Sequence, residues 1–266
     1  MNTILKRIIQ EKERELINHK QLVPVHLMER SVYFNTKVVS MVKYLSDESR
    51  SGIIAEIKRK APSSGPLGLK IKVEDLSISY MQNGAAALSV LTDKTFFGGS
   101  NQDLITARAF NFCPILRKDF IIDEYQVIET KSIGADCLLL IAACLSPQRC
   151  KALASLAKSI GLEVLLEVRN EGEIHSHYSD DIDLLGVNNR DLDDFSVDIS
   201  RSEYLASFIP EGVIAVSESG LREAEDLIRL KGFGYKGFLI GTHFMQQADP
   251  GKGVRSMVRG TKNIRV

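Results

Sequence analysis

Charged residues recur directly after short apolar runs along this chain. Glu56 and Lys58 end one run, Lys118 ends another, and Glu167 ends a third. An ammonium and a carboxylate held on separate segments can act as an acid and a base, and positioned proton transfer contributes roughly 10²–10⁴-fold to a rate. Because burying such charges is costly unless they pair or meet a ligand, their recurrence favours one shared site over separate exposed ends.

The apolar runs predict the elements that would position these residues. Runs that are apolar at consecutive positions are typical of strands buried on both faces. They cover 52–57, 85–91, 113–116, 137–142, 164–166, 182–187, 212–216 and 237–240. Segments with helical periodicity lie between them, including 73–82, 102–109, 124–132, 147–160 and 222–230. This alternation predicts an α/β fold, a (β/α)8 TIM barrel, with an open doubly wound sheet as the alternative.

An N-terminal helical segment is expected before the first strand. Ile4, Leu5, Ile8 and Ile9 fall close to helical spacing, with charged residues around them. No Pro/Gly/Ser-rich linker divides the chain, and 266 residues suit one barrel. We therefore expect a single domain over 1–266, in which 1–50 is a helical extension.

Residues at the last two strand ends indicate a phosphate site. Ser219-Gly220 and Gly241-Thr242 each place a glycine beside a hydroxyl residue. Barrels often bind phosphate through the loops after strands seven and eight. We expect the backbone N–H groups of Gly220 and Gly241 and the hydroxyl of Thr242 to bind the anion, and a side chain at Gly241 to occupy its place. Two ordinary tight turns are the alternative.

The balanced charge argues against a nucleic-acid or membrane-surface protein. Lys+Arg and Asp+Glu both count 34, so no global positive field attracts polyanions. No cysteine pair has Cys-x-x-Cys spacing, and no apolar run approaches the length of a membrane span. We expect a cytoplasmic protein, a monomer or weak homo-oligomer, that binds a small phosphorylated substrate but no nucleic acid and no membrane.

Three other patterns carry less weight. The glycines of KGFGYKGF spell G-x-G-x-x-G but precede a strand, whereas a dinucleotide motif follows one. His175 and His177 could reach a metal from a loop, but without a third ligand at suitable spacing a solvated pair is favoured. RDLDDF lacks the glycine and terminal Glu of a calcium loop. We therefore expect no metal and no dinucleotide.

The strand-end motifs resemble the indole-3-glycerol phosphate synthase family of tryptophan biosynthesis over nearly the whole chain. The matching segments, in family order, are AEIKRKAPSSG, LSVLTDKTFFGGS, PILRKDFIIDEYQ, LLLIAACL, LLEV, LLGVNNRDL, VSESGL and FLIGTHFM. The resemblance implies a carboxy-lyase that needs no metal or organic cofactor. It would close the ring of 1-(2-carboxyphenylamino)-1-deoxyribulose 5-phosphate to indole-3-glycerol phosphate, with loss of carbon dioxide and water.

The resemblance also implies a role for each matched residue. Lys118 resembles the general acid that protonates the substrate carbonyl, and Glu167 resembles the base that assists loss of water. Lys58 and Glu56 match catalytic residues that orient the substrate. The matched substrate-binding positions are Phe97, Phe120, Asn188, Arg190, Glu218 and Ser219, and the matched phosphate-binding positions are Gly220, Gly241 and Thr242. Other cations near Lys118 are expected to ease its deprotonation.

The first loop departs from the family pattern. Ala61 stands where the family usually has a serine before the proline, and Ser63 and Ser64 are the candidates to replace that hydroxyl.

Two rival functions stay open. Phosphoribosylanthranilate isomerase, another phosphate-binding barrel, uses a Cys and an Asp, but no Cys ends the first strand here. A barrel without catalysis, serving as a binding or scaffold protein, would have no need of Lys118 and Glu167.

Overall fold

The eight apolar runs form the strands of a closed parallel barrel. The computed structural model describes residues 3–61, 65–66, 71–191 and 194–263. Its barrel strands are β1 (Ile53–Ile57), β4 (Ala87–Leu91), β5 (Ile115–Lys118), β6 (Cys137–Ile141), β7 (Glu163–Val168), β8 (Leu184–Asn188), β9 (Ile214–Glu218) and β10 (Gly237–Ile240). Two short strands, β2 (Lys60–Ala61) and β3 (Gly65–Pro66), form a separate antiparallel pair. Because β1 pairs in parallel with both β4 and β10, the sheet closes and the predicted barrel is confirmed.

Helices precede the barrel and connect its strands. They are α1 (Thr3–Leu22), α2 (Val25–Met28), α3 (Met41–Ser46), α4 (Val73–Gln82), α5 (Asn101–Phe110), α6 (Glu124–Ser132), α7 (Pro147–Ser159), α8 (Glu171–His177), α9 (Ser200–Leu205), α10 (Ala224–Gly232), α11 (Thr242–Met245) and α12 (Pro250–Asn263). The bounds of α4 and α6 are those predicted. α10 begins later than predicted, because the Asp226 carboxylate accepts hydrogen bonds from the backbone N–H groups of Arg222 and Glu223. None of the helices described is long and apolar enough to span a membrane.

The two histidines expected as a solvated loop pair lie in α8 instead. His175 is exposed, but His177 is buried, and its Nε2 lies 3.0 Å from the carbonyl oxygen of Leu145. The expectation of a solvated pair is therefore wrong for His177. Its spacing after Ile174 places it on the inner side of an amphipathic helix, where a hydrogen-bonded ring is accommodated.

Side chains on the barrel strands alternate between the barrel interior and the helix layer. In β7, Leu165 belongs to the interior cluster, whereas Val164 and Leu166 pack beneath the helices. The same period of two directs Glu167 inward. The last inward positions of five strands are polar: Glu56, Lys118, Glu167, Asn188 and Glu218. The carboxyl end of the barrel therefore carries a polar layer above an apolar interior.

The segment before β1 packs against both ends of the barrel. At the amino ends, Met41 and Leu45 of α3 join the interior cluster. Buried Glu163 fixes this helix, because its Oε2 accepts a hydrogen bond from the backbone N of Met41 at 2.6 Å. At the carboxyl ends, Leu5 and Ile8 of α1 join the same cluster. The N-terminal extension therefore supplies part of the apolar surface around the polar layer.

Candidate active site

A cavity of about 440 Å³ opens at the carboxyl ends of the barrel strands. Its walls come from several strands, their following loops and α1, the arrangement typical of active sites in this fold. All thirteen predicted site residues line it: Glu56, Lys58, Phe97, Lys118, Phe120, Glu167, Asn188, Arg190, Glu218, Ser219, Gly220, Gly241 and Thr242. The structure thus brings the predicted residues together, while their individual roles stay predictions.

Lys118, which lines the cavity, lies between two carboxylates. Its Nζ is 2.6 Å from Oε2 of Glu167 and 2.7 Å from Oε2 of Glu218. Burial alone would lower the pKa of Lys118, but these carboxylates outweigh it and raise the pKa well above its usual range. The expectation that neighbouring cations ease its deprotonation is therefore wrong. The groups that contact this ammonium are anions, which keep it protonated and charged.

The two carboxylates that share Lys118 differ in their pKa. Burial raises the pKa of Glu218 to about 7, and the nearby charge of Glu167 acts in the same direction. Burial also acts to raise the pKa of Glu167, but Lys118 and a hydrogen bond from Nδ2 of Asn188, 3.0 Å long, lower it below its usual value. One ammonium is insufficient for both acids, so Glu218 is the one that takes up a proton as pH falls through about 7, while Glu167 stays ionised.

A second ion pair lies at the carboxyl end of the first strand. Nζ of Lys58 is 2.6 Å from Oε1 of Glu56, and both side chains are largely buried. Gly241 provides the space for this carboxylate, because a Cβ there would overlap Oε1 of Glu56 and lie 2.9 Å from its Cδ. The expectation that a Gly241 side chain would take the place of the anion is therefore corrected: it would first displace Glu56.

Aromatic and aliphatic side chains form the apolar wall of the cavity. The rings of Phe97 and Phe120 lie 6.0 Å apart, tilted by 37°. Leu5 and Ile8 of α1 line the same cavity. A flat aromatic group would be shielded from water between these surfaces while its polar substituents reach the charged layer.

The predicted phosphate end of the cavity has strained backbone and nearby cations. Ser219 has a φ of 69°, uncommon for a residue with a side chain, and Gly220 follows at 86°. Arg222 and His243 line the cavity beside Arg190. Burial lowers the pKa of His243, and so does the positive charge of Arg222. Burial and the charge of Arg222 also act to lower the pKa of Arg190, and a dianion bound here would offset the repulsion between these two arginines.

Sequence reasoning missed several residues that line the cavity. Leu5 and Ile8 were recognised as helical, but their spacing does not reveal which surface the helix covers. Arg222 and His243 carried a usable signal, since each stands two positions after a predicted phosphate-binding glycine. Of the serines proposed to replace the hydroxyl missing at Ala61, both Ser63 and Ser64 lie outside the described residues.

Comparison with known proteins gives the same family over nearly the whole chain. A family model described as indole-3-glycerol phosphate synthase matches residues 5–257. The chain is 42% identical over 259 residues to the indole-3-glycerol phosphate synthase of Bacteroides thetaiotaomicron, covering 97% of this chain and 99% of the relative. It is 37% identical over 259 residues to that of Campylobacter jejuni, covering 96% and 100%.

Solved structures with low sequence identity share the fold. Tryptophan synthase subunit alpha from Legionella pneumophila superposes with a TM-score of 0.60 at 13% identity, covering 84% of this chain and 97% of that one. Thiamine phosphate pyrophosphorylase from Pyrococcus furiosus gives 0.59 at 14% identity, covering 80% and 96%. The family match, the near-complete coverage of its relatives and the cavity residues agree, and this chain belongs to the indole-3-glycerol phosphate synthase family.

Proposed function

We propose that this chain closes the ring of 1-(2-carboxyphenylamino)-1-deoxyribulose 5-phosphate, giving indole-3-glycerol phosphate, carbon dioxide and water. The observation that carries the proposal is the placement of Lys118 between Glu167 and Glu218. A charged lysine within a buried carboxylate layer is a proton donor with an ionised base beside it. This is the pairing that a carbonyl addition followed by dehydration needs.

In the first step, Lys118 donates a proton to the substrate carbonyl oxygen. The ring carbon that carries the carboxylate attacks the carbonyl carbon at the same time, so the new carbon–carbon bond forms as the oxygen becomes a hydroxyl. Carbon dioxide then leaves, and the electrons of the broken bond restore the aromatic ring. Protonated Glu218, 2.7 Å from Nζ of Lys118, is placed to return the proton that Lys118 has lost.

In the second step, the new hydroxyl takes a proton from Lys118, which Glu218 has reprotonated, and leaves as water. The adjacent carbon of the five-membered ring loses its proton at the same time, and the electrons of that bond form the ring double bond. Glu167 is the base that removes the proton lost with this water, because it is the ionised member of the buried acid pair. Asn188 holds Glu167 through a hydrogen bond to Oε1, which leaves Oε2 toward Lys118. Base and acid therefore act from neighbouring positions of one polar layer.

The remaining cavity residues would bind the two ends of the substrate. Phe97 and Phe120 would contact the aromatic ring, and Lys58 would pair with its carboxylate. The backbone around Gly220 and Gly241, with Arg190, would hold the phosphate. These contacts would hold the reacting carbons between Lys118 and the aromatic wall. The translational and rotational entropy needed to bring the reacting groups together would then be lost on binding and not in the chemical step.

Incubation of the purified protein with the carboxyphenylamino deoxyribulose phosphate tests the function. We expect the indole fluorescence of the product to appear with release of one carbon dioxide per substrate. Phosphoribosylanthranilate should not be isomerised by the same preparation. Absence of product under conditions where the substrate binds would overturn the proposal and leave a binding protein.

A further inference from the structure

Lys12 is a buried cation that joins α1 to the carboxyl end of the barrel. Its side chain is 6% exposed, and its Nζ lies 3.1 Å from Oδ2 of Asp93 and 3.1 Å from Oδ1 of Asp119. Glu15 of the same helix completes the cluster, with Oε2 at 2.7 Å. The lysine therefore bridges the loops that follow β4 and β5.

The two bridged carboxylates hold the backbone of the aromatic wall. Oδ1 of Asp93 accepts hydrogen bonds from the backbone N of Phe96 at 2.7 Å and of Phe97 at 3.1 Å. Oδ1 of Asp119 accepts one from the backbone N of Phe120 at 2.8 Å. Each wall phenylalanine is thus one hydrogen bond away from a carboxylate that contacts Lys12.

The electrostatics show how much this cluster depends on Lys12. Burial alone would raise the pKa of Asp119, but Lys12 and Arg117 outweigh it and lower the pKa to about 2. Burial and the negative charge of Asp119 both raise the pKa of Asp93. Lys12 acts to lower this pKa but does not outweigh them, so the pKa stays raised. Without the lysine, Asp93 would lose its ion-pair partner, whereas Asp119 would keep Arg117 at 3.3 Å, so Asp93 would have to move or take up a proton.

We infer that Lys12 is a positioning residue for the aromatic wall, acting through Asp93 on Phe97 and through Asp119 on Phe120. The assignment of that wall to the aromatic ring of the substrate rests on the proposed function. Ile8, one turn before Lys12, lines the cavity, so the same ion cluster also sets the position of α1 over the site. The helix and the wall are therefore fixed together.

Two variants separate this role from general stabilisation. Lys12→Met keeps the length of the side chain and removes its charge, and Lys12→Arg keeps the charge. Lys158→Met is the matched control, because Lys158 also forms an ion pair, with its Nζ 2.6 Å from Oδ1 of Asp183 ahead of β8. This control breaks a lysine–aspartate pair at the opposite end of the barrel from the wall.

Hydrogen exchange tests the backbone link without any substrate. In Lys12→Met, the amides of Phe96, Phe97 and Phe120 should exchange at least about tenfold faster, while those of β8 should not change. Lys12→Arg should restore most of the protection, and Lys158→Met should leave these amides unchanged. Equal acceleration throughout the barrel, or no change at the three amides, would overturn the inference.

Binding measurements test the consequence for the site. The probes are the substrate with its carbonyl reduced to an alcohol, and ribitol 5-phosphate, which lacks the aromatic group. Lys12→Met should weaken the first by about tenfold and the second by less than about twofold. Equal losses would refute the positioning role. If the wild-type protein makes no product while the three amides still respond to Lys12→Met, the proposed function fails and the link from Lys12 to the wall stands.

Discussion

Nζ of Lys118 lies 2.6 Å from Oε2 of Glu167, although the two residues are 49 positions apart in the chain. They meet because β5 and β7 both direct their last inward side chain into the same layer of the barrel. Within this buried layer, the lysine is held charged and the glutamate ionised. The pair therefore has an acid and a base ready before substrate arrives.

Glu218 should make the stability of the protein depend on pH. Its pKa, about 7 in the folded protein, lies above the ordinary value of a glutamate, so the folded state binds this proton more tightly than the unfolded state. The contribution of Glu218 to the free energy of unfolding is fully present below the ordinary pKa of a glutamate and is lost as pH rises through about 7. The loss is about 3 kcal/mol at most.

Urea unfolding of the wild-type protein and Glu218→Gln at pH 5, 6, 7 and 8 measures this effect. Gln cannot ionise, so the wild type should lose stability relative to the variant as pH rises. A difference that stays constant across the range would show that Glu218 does not titrate there.

Gly186→Ala should disturb the site without altering a residue assigned to catalysis. A Cβ on Gly186 would overlap Oε1 of Glu218 and lie 2.8 Å from Cδ2 of Leu165. Glu218 would have to move away from Lys118, so we expect kcat to fall about tenfold and the free energy of unfolding to fall by about 1–3 kcal/mol.

The matched control for this substitution is Gly232→Ala in α10, where a Cβ meets no atom within 4 Å. Its activity should stay normal and its unfolding free energy should change by less than about 0.5 kcal/mol. If Gly186→Ala and the control had the same kinetics, the position of Glu218 would not matter for the reaction.

Ser219→Gly should stabilise the protein while weakening substrate binding. Ser219 is held at a φ of 69° partly by a 3.0 Å hydrogen bond from Nδ2 of Asn189 to its carbonyl oxygen. Glycine adopts this conformation without strain, so the free energy of unfolding should rise by about 1 kcal/mol. Loss of the hydroxyl should raise KM. Thermal unfolding and steady-state kinetics of the one variant give both values, and an unchanged KM would exclude the hydroxyl as a substrate contact.

Much of the architecture was predictable because buried parallel strands have a simple signature. Runs apolar on both faces, such as the one that became β6, identify strands, and the position of Glu167 at the end of its run placed it at the active end of the barrel. The predicted family is confirmed by the match over residues 5–257. The residue roles stay predictions.

Electrostatic neighbours were not predictable from the chain. The charge state of Lys118 depends on Glu218, which is 100 positions away and becomes a neighbour only when the barrel closes. Lys12 looked like one charge among many on an amphipathic helix, and its burial against Asp93 and Asp119 follows from how α1 lies over the barrel. Periodicity gives the buried side of a helix, but not the surface that it covers.

Single-turnover kinetics of Lys118→Ala and Glu167→Gln, measured with the binding of the reduced substrate analogue, test the acid–base pair most directly. Each variant removes a proton-transfer group and leaves the phosphate end and Lys58 in place. We predict that the rate constant for product formation falls by a factor of about 10² or more in both, while the Kd of the analogue changes by less than about fivefold. A near-normal rate constant with lost affinity would contradict the assignment, make that residue a substrate clamp, and move proton transfer to another strand end such as Lys58.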